Sequence, residues 1–84
     1  MNGKSIIPDR IESLGIISGV DFEVDTKGLN CRIKSNGGNI SLKLRENGST
    51  YLLKEDETLD FCGKLYYRHA SGSPTVYLLY YHTL

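Results

Sequence analysis

The stretch Leu29-Asn-Cys-Arg-Ile-Lys-Ser-Asn-Gly-Gly-Asn-Ile-Ser-Leu-Lys-Leu-Arg45 decides the fold. Apolar and polar side chains alternate over Leu29 to Lys34 and again over Ile40 to Arg45. Period-two alternation is the mark of a half-buried strand, with one face to a core and one to water. Between the two runs lies Asn36-Gly37, a dipeptide that favours a two-residue type I′ turn because both central residues need positive φ. A turn centred there pairs Ile33 with Ile40, Cys31 with Leu42 and Leu29 with Leu44, and puts all six on one face. The expectation is a tight hairpin.

Outward from this stretch the same pattern recurs. Val20 to Asp25 alternates, and a turn on Lys27-Gly28 pairs Val24 with Cys31 and Phe22 with Ile33. It also sets Glu23 opposite Arg32 and Asp21 opposite Lys34, pairs that fix register more than they add stability. Asn47-Gly48 invites a third turn, pairing Leu44 with Tyr51 and Leu42 with Leu53. A one-residue slip would turn every side chain of a strand over, so the agreement of three turns predicts a meander from Val20 to Lys54. The turn-critical residues are Lys27, Gly28, Asn36, Gly37, Asn47 and Gly48. Beyond the acidic loop Glu55-Asp56-Glu57, a short strand over Leu59 to Cys62 ends at Gly63-Lys64. A last hairpin around Ser71-Gly72-Ser73-Pro74 pairs Tyr67 with Leu78 and Leu65 with Tyr80.

Together these readings predict an all-β fold: an antiparallel β-sandwich or flattened barrel of about seven short strands with hairpin and meander connections. Residues 1–14, weakly periodic and interrupted by Pro8, read as an N-terminal arm with at most one helical turn over Asp9 to Ser13. Residues 15–84 read as a single β domain. The expected core is Phe22, Val24, Leu29, Cys31, Ile33, Ile40, Leu42, Leu44, Leu53, Phe61, Leu65 and Leu78, with Tyr51 and Tyr67 inside as well.

Composition bounds the function. The 84 residues carry 10 Lys plus Arg and 10 Asp plus Glu, a formal net charge of zero. A nucleic-acid coat needs surplus cations to offset phosphates, so no nucleic-acid partner is expected. The longest apolar run, Val76 to Tyr81, is too short to cross a bilayer as a helix, and no membrane partner is expected. No secretion signal is read at the start of the chain. Cys31 and Cys62 are expected to be buried free thiols rather than a disulfide.

No catalytic constellation is evident, and the chain is expected not to be an enzyme. His69 and His82 fall roughly 20 Å apart along the expected ladder, too far to share a metal. The loop Glu55 to Asp60 lacks the alternating oxygen ligands and central Gly of a calcium loop and reads as a solvated turn. There is no nucleophile elbow and no phosphate cradle. Catalytic, metal and cofactor sites are all expected to be none. The sequons at Asn39 and Asn47 read as accidental.

The six tyrosines carry more weight. Tyr66, Tyr77, Tyr80 and Tyr81 gather on the last hairpin with Arg68, and Tyr and Arg dominate protein interfaces. Three readings stay open for them: a Tyr-rich sheet packed in its own domain, a protein interface, or a stacking platform for a ligand. The interface candidates are Tyr66, Arg68, Tyr77, Leu79 and Tyr81 on the hairpin and Ile6, Ile7 and Ile11 on the arm. The hairpin is expected to form the main subunit contact and the arm a secondary clasp.

The run Gly48 to Phe61, followed by Gly63-Lys-Leu-Tyr-Tyr-Arg-His-Ala-Ser-Gly-Ser-Pro-Thr-Val-Tyr-Leu-Leu79, resembles small all-β structural proteins of tailed-bacteriophage virions in its cadence of strands and turns. That resemblance implies an assembly component in a decoration, head-fibre, connector or tail accessory role. It would be a homo-oligomer that docks on other virion proteins, made in the host cytoplasm and found in the virion. The alternative is a soluble binding module that takes a glycan or peptide on the tyrosine hairpin.

Overall fold

The computed structural model describes residues 6–16 and 18–83. They form four antiparallel strands: β1 Ile6–Gly15, β2 Asp21–Lys43, β3 Tyr51–Leu53 and β4 Thr58–Thr83. The all-β class holds, but the strands number four rather than seven. The sheet order is β1-β4-β2-β3. Two of the strands are long because the chain bends at corners without leaving the ladder.

Residue pairing shows how β2 and β4 fill the space of many short strands. Asn30 to Lys34 lies between two parts of β4, with Cys62 to Thr58 on one side and Tyr81 to Tyr77 on the other. Asp21 to Asp25 pairs with Arg68 to Lys64, and Ser41 to Lys43 pairs with Arg68 to Tyr66. Strand β1 adds to Thr75–Thr83, and β3 adds to Ile40–Leu42. The pairings make two ladders, each four segments wide. One runs 6–15, 75–83, 30–36, 58–62; the other runs 21–25, 64–68, 38–43, 51–53.

The expected hairpin at Asn36-Gly37 does not form. Gly37 has φ 89° while Asn36 stays out of the left-handed region, so the two positive φ values of a type I′ turn are not met. Asn36 pairs with Thr75, and Ile33 pairs with Leu59 and Leu78 rather than Ile40. The chain turns a corner instead, held by close backbone approach. A Cβ on Gly72 would meet the Gly37 carbonyl oxygen and the Gly38 Cα at 2.9 Å each, and one on Gly38 would strike the Ser71 carbonyl oxygen. Gly72 has φ 73°. This contact also replaces the last expected hairpin: β4 passes through Ser71 to Pro74 while pairing with β2 and β1.

Lys27 and Gly28 do take positive φ, 52° and 91°. Yet Val24 pairs with Leu65 and Phe22 with Tyr67, so this turn too is a corner in β2 and not a hairpin. It lies opposite Gly63, whose amide donates to the Thr26 hydroxyl at 2.7 Å. Thr26 is buried, and that bond satisfies a polar group at the bend. The short strand expected to stop at Gly63-Lys64 therefore continues.

At Asn47-Gly48 the chain does reverse, with a looser loop than expected. Gly48 N–H donates to the Arg45 carbonyl at 2.9 Å, so the turn is centred on Glu46-Asn47. Leu42 pairs with Tyr51 and Ile40 with Leu53, two residues from the expected register. A shift of two preserves the faces, and Leu42 and Leu53 are both buried. Leu44, left beyond the paired residues, and Tyr51, the first residue of β3, are exposed rather than core.

The core contains Val24, Cys31, Ile33, Ile40, Leu42, Leu53, Leu65, Tyr67 and Leu78 as expected, together with Val76 and Tyr80. Phe22, Leu29 and Phe61 are half-buried against it. Burial pushes the Cys31 thiol up to about 11. Cys62 is exposed, contrary to expectation, because it sits on the outer side of the ladder across from Asn30. Of the arm, residues 6–15 are strand β1, with no helical turn over Asp9 to Ser13. The arm's first five residues lie outside the described ones.

Candidate interaction surface

Strand β4 presents its odd-numbered C-terminal residues outward, because Val76, Leu78 and Tyr80 face the core. Along this outer side Ile11 lies opposite Leu79, which lies opposite Arg32, which lies opposite Asp60. The next row runs Ser13, Tyr77, Lys34 and Thr58. Ile11, Arg32, Lys34, Tyr77 and Leu79 line a shallow depression of about 280 Å³. Ile11 is 68% exposed, Tyr77 is 37% exposed and Leu79 is half-buried.

Tyr81 is placed differently from the expectation. It is buried, with the Arg32 guanidinium 5.9 Å from its ring centre. Arg32 grips Asp60 with two bonds, Nε to Oδ1 at 2.7 Å and Nη2 to Oδ2 at 3.1 Å. Those bonds hold the Asp60 carboxyl below the usual carboxylate range, and a hydrogen bond from Tyr81 acts in the same direction. The ion pair roofs Tyr81 over and removes it from the exposed face.

Tyr66 and Arg68 belong to the other ladder, between 21–23 and 41–43. Arg68 Nε contacts Asp21 Oδ1 at 2.7 Å, and Lys64 Nζ contacts Glu23 Oε1 at 3.3 Å. Asp21 and Glu23 were expected to pair with Lys34 and Arg32, so the acids are paired as anticipated but with other bases. The five hairpin candidates thus divide between two ladders and do not form one face. Ile6 and Ile7, each 44% exposed, sit with Ile11 on β1.

The acidic loop is more than a solvated turn. Gly37 N–H donates to Glu55 Oε1 at 2.9 Å, and Glu55 N–H donates to Asn39 Oδ1 at 2.8 Å. Asp56 N–H donates to the Ser35 carbonyl at 2.9 Å. The loop closes the 35–39 corner and takes up backbone groups that a hairpin would have paired internally. His69 and His82 are separate: His69 Nε2 lies 2.7 Å from the Gly72 carbonyl oxygen, and His82 pairs across from Ile7. No group of three or more potential metal ligands occurs among the described residues. No helix among them is long and apolar enough to cross a membrane.

A groove that the sequence reading missed runs between β1 and residues 23–25. It measures about 530 Å³ and is floored by Tyr67, Leu78 and Tyr80, with Glu12 and Asp25 on its walls. The Arg10 guanidinium stacks 4.0 Å above the Tyr80 ring. Burial pushes the Tyr67 phenol up to about 12. No local sequence signal marks this groove, since it exists only once β1 returns beside β4.

No protein-family model and no curated protein matches the chain. Two solved structures are similar in fold. One is the solution structure of a de novo designed double-stranded β-helix, at TM-score 0.67 and 17% identity over 88% of this chain and all of that one. The other is the crystal structure of a Cupin_2 domain of an XRE-family transcriptional regulator from Enterobacter cloacae. It has TM-score 0.67 and 18% identity over 96% of this chain and 97% of that one. At these identities the likeness is one of fold, a double-stranded β-helix, and the paired ladders of β2 and β4 are its basis. The expectation that the chain is not an enzyme is corrected by the same finding. Cupin folds house enzymes as well as regulators, so a missing sequence signature does not exclude catalysis.

Proposed function

We propose that this chain is an assembly module, a small β-sandwich whose two ladders face one another across the core and whose margins dock on other copies and on other proteins. One observation carries the reading. Of the nine exposed large apolar side chains among the described residues, seven gather at the two margins of the sheet: Ile6, Ile7, Ile11 and Leu14 on β1, and Leu44, Tyr51 and Leu52 at or beside β3; Val20 and Tyr77 lie elsewhere. Scattered apolar residues need no explanation, but grouped ones mark contact surfaces. The main contact moves from the tyrosine row to the margins, because Tyr81 is covered and Tyr66 and Arg68 lie on the other ladder. The virion setting, with synthesis in a host cytoplasm, is carried by the strand-and-turn cadence of residues 48–79 alone.

Sedimentation over a wide concentration range tests the assembly role. A concentration-dependent rise above the 9.4 kDa chain supports it; a monomer at every concentration, with no retention on candidate virion proteins, contradicts it.

A second reading rests on the groove between β1 and residues 23–25. At about 530 Å³ it falls in the size range of small-ligand sites. Its aromatic floor and carboxylate walls suit a sugar or short peptide. Titration with glycan and peptide pools, followed by amide shifts of Glu12 and Val24, decides this reading.

A further inference from the structure

Strand β1 is the last strand of the sheet, and all ten of its residues are exposed. An edge strand presents unpaired N–H and C=O groups that template another strand unless guarded. The guards lie at its N-terminal half: Pro8, which lacks a donor, and the register shift between Pro8 and Arg10. From Arg10 to Gly15 the strand steps one for one against Tyr80 to Thr75 and carries no such guard.

We propose that a second copy of this chain occupies this edge, β1 pairing antiparallel with β1 about a two-fold axis through Ile11. The proposal rests on the assembly reading and names its partner and register. Three observations select the occupant. First, the other free edge of the same ladder is residues 58–62, a different segment, so a joint from β1 to it would be heterologous and would run on as a ring or filament, whereas β1 on β1 closes as a dimer. Second, charge selects the register. Centred on Ile11, Arg10 of each copy lies opposite Glu12 of the other, and Asp9 lies opposite Ser13. Centring the axis on Arg10 instead sets the two Arg10 side chains opposite each other, a like-charge pair that opposes pairing. Centring it on Glu12 sets the two Glu12 carboxylates opposite each other, which opposes pairing in the same way. Third, Ile11 is the most exposed apolar residue of β1, at 68%, and this register buries it against its own copy. Within its own chain Arg10 stacks on Tyr80 and lies 2.8 Å from Asp9 and 3.5 Å from Glu12, so pairing across the axis keeps the same opposite charges together.

The test uses single cysteines in a Cys62→Ser background, which removes the exposed thiol. Directly opposed strand residues have Cβ atoms about 4.5–5.5 Å apart, close to disulfide reach. Ile11→Cys is expected to give a reducible covalent dimer under mild oxidation, and Ser13→Cys, which faces Asp9, is expected to give none. Arg10→Glu should raise the dimer dissociation constant about tenfold, and Arg10→Glu combined with Glu12→Arg should restore it. Circular dichroism confirms that each variant keeps its β spectrum. A dimer that persists without an Ile11→Cys crosslink, or without rescue by the charge exchange, overturns this register and leaves the assembly reading standing. A chain that stays monomeric overturns both.

Discussion

Asn-Gly occurs twice in this chain, and the two copies are used differently. At Asn47-Gly48 the chain reverses through a loop stabilised by a local bond from Gly48 to Arg45. At Asn36-Gly37 it does not reverse; β2 bends and continues, packed against Ser71 to Pro74 of β4. The dipeptide reports only that the backbone can enter the left-handed region cheaply. Gly37 uses that freedom, at φ 89°, whereas neither Asn47 nor Gly48 takes positive φ, and whether the chain reverses or bends is decided by what approaches from far along it. At Gly37 that is a backbone more than thirty residues away, and at Gly48 only Arg45 is near.

The largest effect is expected where two backbones meet. Gly72→Val combines φ 73° with a Cβ 2.9 Å from two backbone atoms of the facing corner. It should cost about 3 kcal/mol or more, read as a lowered urea midpoint. Gly37→Val, at φ 89° and with a Cβ 2.9 Å from the Ser73 carbonyl, should be similarly severe.

Next comes the contrast between two leucines read from the same alternation. Leu78, 5% exposed, should cost about 2–5 kcal/mol as Leu78→Ala, whereas Leu44→Ala, at 64% exposure, should stay within about 0.5 kcal/mol. Equal costs would return Leu44 to the core and with it the local hairpin. Glu55→Ala removes the acceptor for the Gly37 amide and should cost about 1 kcal/mol, whereas Gly48→Ala should lie within about 0.5 kcal/mol of zero.

The smallest effect is electrostatic. Arg32 holds the Asp60 carboxyl below its usual range. Its contribution is therefore complete above the ordinary carboxylate value near about 4 and is lost as pH falls through the depressed folded value. Because both groups are substantially exposed, the change is small. Asp60→Asn should flatten this acid limb of the stability curve and expose Tyr81 to solvent quenchers.

The faces of the strands were legible in the sequence, and their partners were not. Cys31, Ile33, Ile40 and Leu42 are all buried as the alternation demands, although none pairs as the local turns suggested. Period two constrains only parity, so any pairing that preserves parity satisfies it. Leu78 meets Ile33 as well as Ile40 would have. The exposure of the candidate surface residues was legible in the same partial way. Ile6, Ile7, Ile11 and Tyr77 are exposed as expected, but Tyr81 lies under an ion pair whose two halves are 28 residues apart. The groove between β1 and residues 23–25 had no local signature at all, because its walls belong to different ladders and its floor comes from β4.

Interstrand nuclear Overhauser contacts in the 9.4 kDa chain test the non-local ladder most directly. The pairing described here predicts backbone contacts from Ile33 to both Leu59 and Leu78 and none to Ile40. Contacts from Ile33 to Ile40, with none to Leu78, would restore the hairpin and contradict the corner on which the whole architecture depends.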